Sequence, residues 1–283
     1  MSESFSTNSG TSGTSDFMDS NSLVAKFAFL LLVIFGFIVL LRIGIAVVVN
    51  LFKPTESPHL IDGMIDATQQ MIFYQDSSGN DDVTTIYRSI NQDNGLEFTW
   101  SVWIKITNFQ YLSNRYRQIF YKGNDSIGTD GLNFPSNAPG LYITPDTNAL
   151  LVIMNTYNVI SEEIIIPDIP INKWLNIIIR CQNTTLNVYI NGTIARSIQL
   201  HGVPKQNYGN VYVAGNGGFQ GNISDLWYYN YAIGTAEIQK IVSHGPNDSP
   251  IDVAVNNITN TDYLSLRWYF ASENNPYVLH KQS

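Results

Sequence analysis

Glycoside hydrolysis needs two carboxylates flanking one bond. Glu162 and Glu163 are adjacent, and neighbouring side chains on a strand point to opposite faces, so this pair does not converge. His59, His201, His244 and His280 have no partner at metal-ligand or triad spacing and read as surface residues. The single cysteine, Cys181, excludes both an internal disulfide framework and a Cys-rich zinc site. Gly215, Asn216, Gly217 and Gly218 follow a strand, but no helix opens after them to cradle a phosphate, so they read as a turn. No Gly-x-Ser-x-Gly and no His-Glu-x-x-His is present. Asn124, Asp125 and Asp130 offer oxygen ligands for calcium in one loop, as do Asp81 and Asp82. The same residue types are ordinary turn formers. These residues lead us to expect a protein that is not an enzyme and needs no cofactor, calcium being the one ion to consider.

The elements that must hold these residues show up in the composition. Of 283 residues, 44% are hydrophobic and only 13% charged, about half the charged share of a soluble domain. A net charge of −8 with 15 Lys and Arg leaves little to neutralise phosphates, so nucleic acid is excluded as a partner. Residues 1–22 are Ser, Thr, Gly and Asn with Glu3, Asp16 and Asp19, a polar tail with little to bury. Residues 27–49 are apolar except for Arg42, and as a helix would run roughly 35 Å, enough to cross a bilayer core. No polar stripe marks a buried core helix, and the acidic n-region and long apolar run do not fit a cleaved signal peptide. We assign a transmembrane helix to 23–52, bracketed by Lys26 and Lys53, with Arg42 snorkelling to the interface.

The charge bias across this span favours a cytosolic C-terminal domain. Sequons at Asn124, Asn183, Asn191, Asn222, Asn247 and Asn257 point the other way. Asn is so abundant that sequons arise by chance, and the expectation is the cytosolic side. The acids of the tail cancel Lys26, Arg42 and Lys53, so the whole −8 belongs to residues 54–283.

Residues 53–94 read as a connector with one strand at 71–75 and a turn-rich stretch at 76–82. From 95 to 245 short strands recur with turns between them. Phe98, Trp100, Val102, Ile104 and Ile106 alternate with Thr99, Ser101, Trp103, Lys105 and Thr107, so one face meets a core. Further strands are expected at 118–122, 140–143, 150–155, 174–181, 186–190, 195–200, 209–214 and 221–229. Asn191-Gly192 joins two of them as a type I′ hairpin. Trp174, Ile177, Ile179 and Cys181 are expected largely on one strand face, with Cys181 a small buried hydrophobe. Gly221 marks a close backbone approach or bulge between Phe219 and Ile223, and Asp225 is placed to bond loop backbone. A helix is expected at 235–243, and residues 246–283 form an extension with a closing strand at 264–270. The fold class is all-β, an antiparallel β-sandwich jelly roll behind a single transmembrane α-helix.

Three stretches carry a resemblance. Phe98, Thr99, Ser101 and Trp103 spell a "FT-x-S-x-W" strand; Trp174 and Ile177 a "W-x-x-I" strand paired through the hairpin of Tyr189, Ile190, Asn191 and Gly192; Phe219, Gly221, Ile223 and Asp225 a "F-x-G-x-I-x-D" strand leading to Asn230, Ala232, Ile233, Glu237 and Ile238. In order and spacing they resemble the concanavalin A-like lectin/glucanase superfamily, in its laminin-G-like (LamG-like) jelly-roll branch. The glucanases of that superfamily carry a Glu-x-Asp-x-Glu arrangement, which this sequence lacks. The N-terminal anchor with an Asn- and Ile-rich version of the domain is also similar to membrane-anchored virion proteins of large nucleocytoplasmic DNA viruses. That resemblance implies a structural protein in the virion membrane, with the domain facing the capsid and partners in the lipid bilayer and other structural proteins. Lectin sites of the superfamily imply the alternative, a carbohydrate-binding surface of loop amides and aromatic rings, for which Tyr111, Tyr116, Tyr208, Asn210 and Asn216 are the candidates.

Overall fold

The computed structural model describes residues 23–51, 57–75 and 86–251. The polar tail, Lys53, Asp81, Asp82, Asn257, His280 and the strand expected at 264–270 lie outside the described residues. The chain divides into two units, Met1–Pro54 and Thr55–Ser283.

In the first unit, α1 (Leu23–Leu51) carries Lys26 and Arg42 as its charged residues and no polar stripe. It is long and apolar enough to cross a membrane, and its large apolar side chains from Leu23 to Val48 are exposed rather than packed on protein.

The second unit is a sandwich of two antiparallel sheets. Its strands are β1 (His59–Asp66), β2 (Met71–Phe73), β3 (Ile90–Gln92), β4 (Gly95–Asn108), β5 (Arg117–Gly123), β6 (Gly140–Ile143), β7 (Ala149–Met154), β8 (Glu162–Pro167), β9 (Trp174–Asn183), β10 (Thr185–Ile190), β11 (Thr193–Gln199), β12 (Asn210–Val213) and β13 (Gln220–Tyr229). One sheet has the order β1-β13-β4-β9-β10-β11, with β3 paired to β4, and the other the order β2-β12-β5-β6-β7-β8. The helix α2 (Thr235–His244) follows β13.

The alternation in β4 does what its period requires. Phe98, Trp100, Val102, Ile104 and Ile106 are buried in the main core with Phe120, Leu141, Leu150 and Val152 of the facing sheet. Trp100 joins the layers, 4.7 Å from Tyr228 of its own sheet and 5.2 Å from Phe120 of the other. Fully burying such a side chain stabilises the fold by about 2–3 kcal/mol. Cys181 is buried in the same core, and burial pushes its thiol up to about 12. Asn191 and Gly192 have positive φ (48° and 79°), as a type I′ hairpin demands, and Asn191 Oδ1 also accepts from Asn176 N at 2.9 Å. At Gly221 (φ 155°) a Cβ would collide with the Lys105 carbonyl, so β13 approaches β4 there as only glycine allows.

Four expectations need correction. The connector at 53–94 holds three strands, not one, because β1 and β3 are part of the first sheet. β1 was illegible because its register against β13 slips twice, between His59 and Ile61 and between Ile61 and Met64, which breaks period 2. The sandwich also runs past residue 245: Pro250 bridges Met64 and Ile251 packs on the core. β8 escaped notice because Ile164, Ile165 and Ile166 hide an alternation that only burial reveals, Ile165 being exposed on an edge strand. Trp174 does not share the face of Ile177, Ile179 and Cys181; it is even in register where they are odd, and is half-buried.

Candidate functional site

A bulge in β13 builds one surface cluster of the sandwich. Ser224 opposes Trp103 while Trp227 opposes Ser101, so β13 spends one more residue than β4 over this stretch. Asp225 sits in the bulge with φ 47°, a conformation that is strained for a residue with a Cβ. Its buried carboxylate accepts from Asn247 N at 2.8 Å through Oδ2, and its Oδ1 is 3.1 Å from His59 Nε2. Asp225 thus bonds loop backbone as its position in the strand implies.

His59 is not the free surface residue its sequence context suggests. Its side chain is 19% exposed, and Nδ1 lies 3.7 Å from Asp62 Oδ1. The ring stacks on Trp227 at 3.8 Å and 12°. Asn247 closes the cluster, its amide donating to Asp62 Oδ1 at 3.1 Å. His59, Asp62 and Asp225 bring ligand atoms within 4.8 Å of one another. The two carboxylates face different nitrogens of one ring, however, so a single ion cannot meet all three without turning the imidazole. The arrangement is better matched to an imidazole held between two acids, clasping β1 to β13 and to the segment after α2.

Around the clasp, a groove of about 750 Å³ is lined by Trp103, Trp227, Tyr229, Glu237, Lys240 and His244 among others. Its floor is the outer face of the first sheet, where Trp227 and Tyr229 run in sequence, ring centres 6.0 Å apart at 20°. Its wall is α2, which packs through Ile238 on Ile178 and Ile233. Thr99 Oγ1 donates to Tyr231 O and accepts from Ile233 N, and Arg180 Nε donates to Ile233 O at 2.8 Å, fixing where the helix begins. Glu237 accepts from Tyr231 OH at 3.1 Å and Gly234 N at 3.3 Å, a carboxylate in the first turn where the helix dipole favours it. Flat aromatic surface beside carboxylates and one lysine can stack a sugar ring or a planar side chain and bond its hydroxyls or amides.

The candidates named from sequence do not converge there. Tyr111 lies by the Gly215–Gly217 turn, where Arg115 Nη2 donates to Asn216 O at 3.0 Å. Tyr116 packs with Tyr121, Tyr142 and Tyr212 on the outer face of the second sheet. Asn210 Oδ1 accepts from Gln75 N at 3.0 Å. Tyr208 is exposed and shares a shallow depression with Asn124. Asp130 Oδ1 accepts from Leu132 N at 3.0 Å, a turn role, and Asp125 is exposed. Glu162 is buried and Glu163 exposed, as opposite strand faces require, and Glu162 instead holds His201, whose Nδ1 is 3.0 Å away. Of the motif residues, Phe98 and Phe219 are in the core, Trp103 is buried under the groove, and Tyr189 is packed beside α2. Sequence reasoning missed His59, Asp62, Trp227 and Asn247. The one available signal was a His-x-x-Asp spacing in a stretch that did not read as a strand.

No curated protein sequence matches the chain. Among solved structures it is similar to the binding domain of Paraclostridial Mosquitocidal Protein 1, with 15% identity, a TM-score of 0.46, and coverage of 68% of this chain and 46% of that one. It is also similar to the receptor binding domain of botulinum neurotoxin D, with 17% identity, a TM-score of 0.42, and coverage of 62% and 43%. The chain spans less than half the length of either. A family profile, Laminin_G_3, described as the concanavalin A-like lectin/glucanases superfamily, matches residues 77–239, more than half the chain. With its two antiparallel sheets and its LamG-like motifs in place, the chain belongs to the concanavalin A-like lectin/glucanases superfamily.

Proposed function

We propose that this protein is a non-enzymatic, single-pass membrane-anchored binding protein whose LamG-like sandwich holds a structural partner against a bilayer, as a virion component linking membrane to capsid does. The observation that carries the reading is α1, whose exposed apolar surface continues without a polar stripe from Leu23 to Val48. Water exposes such a surface at a cost of about 25 cal/mol per Å², and a bilayer removes that cost. The sandwich supplies the binding half: its superfamily includes lectins, and among the described residues Asp225 and Glu162 are committed to structural bonds rather than paired for hydrolysis.

Alkaline carbonate extraction followed by vesicle flotation tests the anchor. The expected result is a chain that floats with membrane and is released only by detergent; release by high salt alone overturns it. Co-sedimentation of the full chain with membrane and capsid fractions tests the partner. Protease digestion of sealed membranes tests the side, with the C-terminal domain expected on the cytosolic, capsid-facing side. No release of reducing sugar from β-glucans is expected.

The groove favours a second reading, a lectin. Trp227 and Tyr229 offer the aromatic face, and Asp62, Glu237 and Lys240 the polar rim. A glycan-array signal lost in Trp227→Ala favours it over the structural role. A calcium-dependent signal lost in Asn216→Ala would move the site to the Gly215–Gly217 turn.

A further inference from the structure

Three loops close one end of the sandwich, at 124–139, 155–161 and 200–209. They are tied to one another by backbone and amide bonds. Thr156 bridges Pro204, Tyr157 N donates to Val203 O at 3.0 Å, and Lys205 N donates to Asn155 O at 3.0 Å. The buried Asn155 amide donates to Pro135 O at 2.8 Å and to Ile160 O, and Asn207 donates to Ser136 Oγ at 2.8 Å. Loops held this way keep their outer side chains in fixed positions.

Those outer side chains are apolar. Phe134, Tyr157, Val159, Ile160, Val203 and Tyr208 are exposed, Tyr157 by 71% and Tyr208 by 64%. They are six of the eleven large apolar side chains exposed on the sandwich among the described residues. Soluble surfaces scatter such residues; a cluster marks a contact.

The strand register identifies which end this is. β11 runs into the 200–209 loop from Gln199, which opposes Thr185; Thr185 opposes Gln182, and Gln182 opposes Glu97. Two residues along β4, Thr99 opposes Tyr229, and two residues back on β13, Trp227 opposes His59. The first strand of the sandwich therefore begins at the apolar-loop end. Only residues 52–58 separate Leu51 of α1 from His59 of β1, a covalent reach of at most about 29 Å.

We propose that this loop end is a lipid-contacting surface. It rests on the anchor reading above and deepens it: the membrane that holds α1 is itself a partner of the sandwich. Phe134, Tyr157, Val159, Ile160, Val203 and Tyr208 lie at the boundary of headgroups and acyl chains, where tyrosine is favoured because its ring is apolar and its hydroxyl wet. Lys205 Nζ, 5.6 Å from the Tyr157 ring, stands ready to reach headgroup phosphates. Exposed Asp125 and Asp130 on the 124–139 loop limit the contact to a shallow one. A short tether sets an effective concentration on the order of millimolar, so a contact too weak to bind vesicles alone is populated in the full chain.

The test uses the full chain in phosphatidylcholine vesicles. Cys181 is buried with a raised thiol pKa, so a cysteine introduced by Tyr157→Cys or Ile160→Cys takes an environment-sensitive fluorophore alone. Ile171→Cys, exposed in the β8–β9 loop at the opposite end, is the control. The label at 157 and at 160 is expected to shift to the blue and lose about half its emission when the acyl chains are brominated, as burial roughly 5–10 Å into the boundary implies, with no change at 171. Chains that float after carbonate but report water at 157 and 160 overturn the proposal while leaving the anchor intact. Chains that do not float overturn the anchor and the proposal together. Shielding of 157 only on adding a second protein, without quenching by brominated lipid, assigns the surface to a protein partner and overturns the lipid reading.

Discussion

Lys122 shows how burial sets chemistry at a single residue. Its ammonium lies at the end of β5, donating to Gly209 O at 2.7 Å and to Gln75 Oε1, with no carboxylate against it among its bonds. Burial lowers its pKa from 10.5 to about 7. The folded chain therefore gives up this proton before the unfolded chain does. The cost of the buried charge is present in full below pH about 7 and is relieved as pH rises toward 10.5. Denaturant titrations are expected to show stability rising over that window, with this residue adding a slope of up to about 1.4 kcal/mol per pH unit. Lys122→Met removes that part of the slope; an unchanged slope contradicts the assignment. Asp225 invites a second test. Asp225→Ala deletes the bonds to His59 and Asn247 while keeping the strained φ, and is expected to cost about 2–3 kcal/mol in chemical denaturation. Asp225→Asn, which tolerates positive φ and can still accept from His59, costs less. The bonding role of Asp225 was legible in sequence but its partners were not, and nothing there marked the burial of Lys122. Lys122 sits in an unremarkable strand, and the partners of Asp225 are 166 and 22 residues away.

At the scale of elements, local pattern and tertiary packing divided the work. β4, the Asn191-Gly192 hairpin and α2 were legible because period, turn chemistry and helix termini act over a few residues. The apolar positions of α2 at Ile238 and Ile241 face Ile178 and Tyr229 on the outer face of the first sheet. Ile238→Ala is expected to destabilise the domain by about 2–4 kcal/mol, read by thermal unfolding, and to increase the wetness of Trp227 fluorescence as the helix loosens over the groove. Gly221→Ala is expected to cost more than Gly192→Ala in the same assay, because its Cβ meets backbone of β4 whereas that of Gly192 meets flexible Gln239 and Val242 side chains. β1, β3 and β8 were not legible. β1 pairs with the sequence-distant β13 in irregular register, whereas β3 and β8 are short add-on or edge strands on their sequence neighbours β4 and β7, β8 hidden by its run of isoleucines. In the candidate groove, His59 and Asp62 were hidden with β1, whereas Trp227, Tyr229 and Glu237 lie on elements that were legible and only their convergence was not.

For the whole molecule, the low share of charged residues has two sources. One is α1, which contributes many apolar residues and two charges. The other is a sandwich that satisfies its loops with amides and hydroxyls, as Asn155, Asn207 and Asn247 do. Such loops leave apolar side chains free to face outward, as Phe134, Tyr157, Ile160 and Tyr208 do at one end of the sandwich. Replacing Tyr157 and Ile160 together by Asp is expected to leave carbonate-resistant flotation unchanged while making the 155–161 loop cleavable by added protease in vesicles, since charge is expelled from the interface. The amino-acid sequence by itself determined the long apolar helix, the all-β class and the core face of β4, because hydrophobic length and period are local quantities. Only the tertiary structure decided the clasp of His59 between Asp62 and Asp225, the groove under α2 and the gathering of apolar loops at the end where the chain enters the sandwich. Those depend on which strands become neighbours, and that is fixed by burial summed over both sheets rather than by any one stretch of chain.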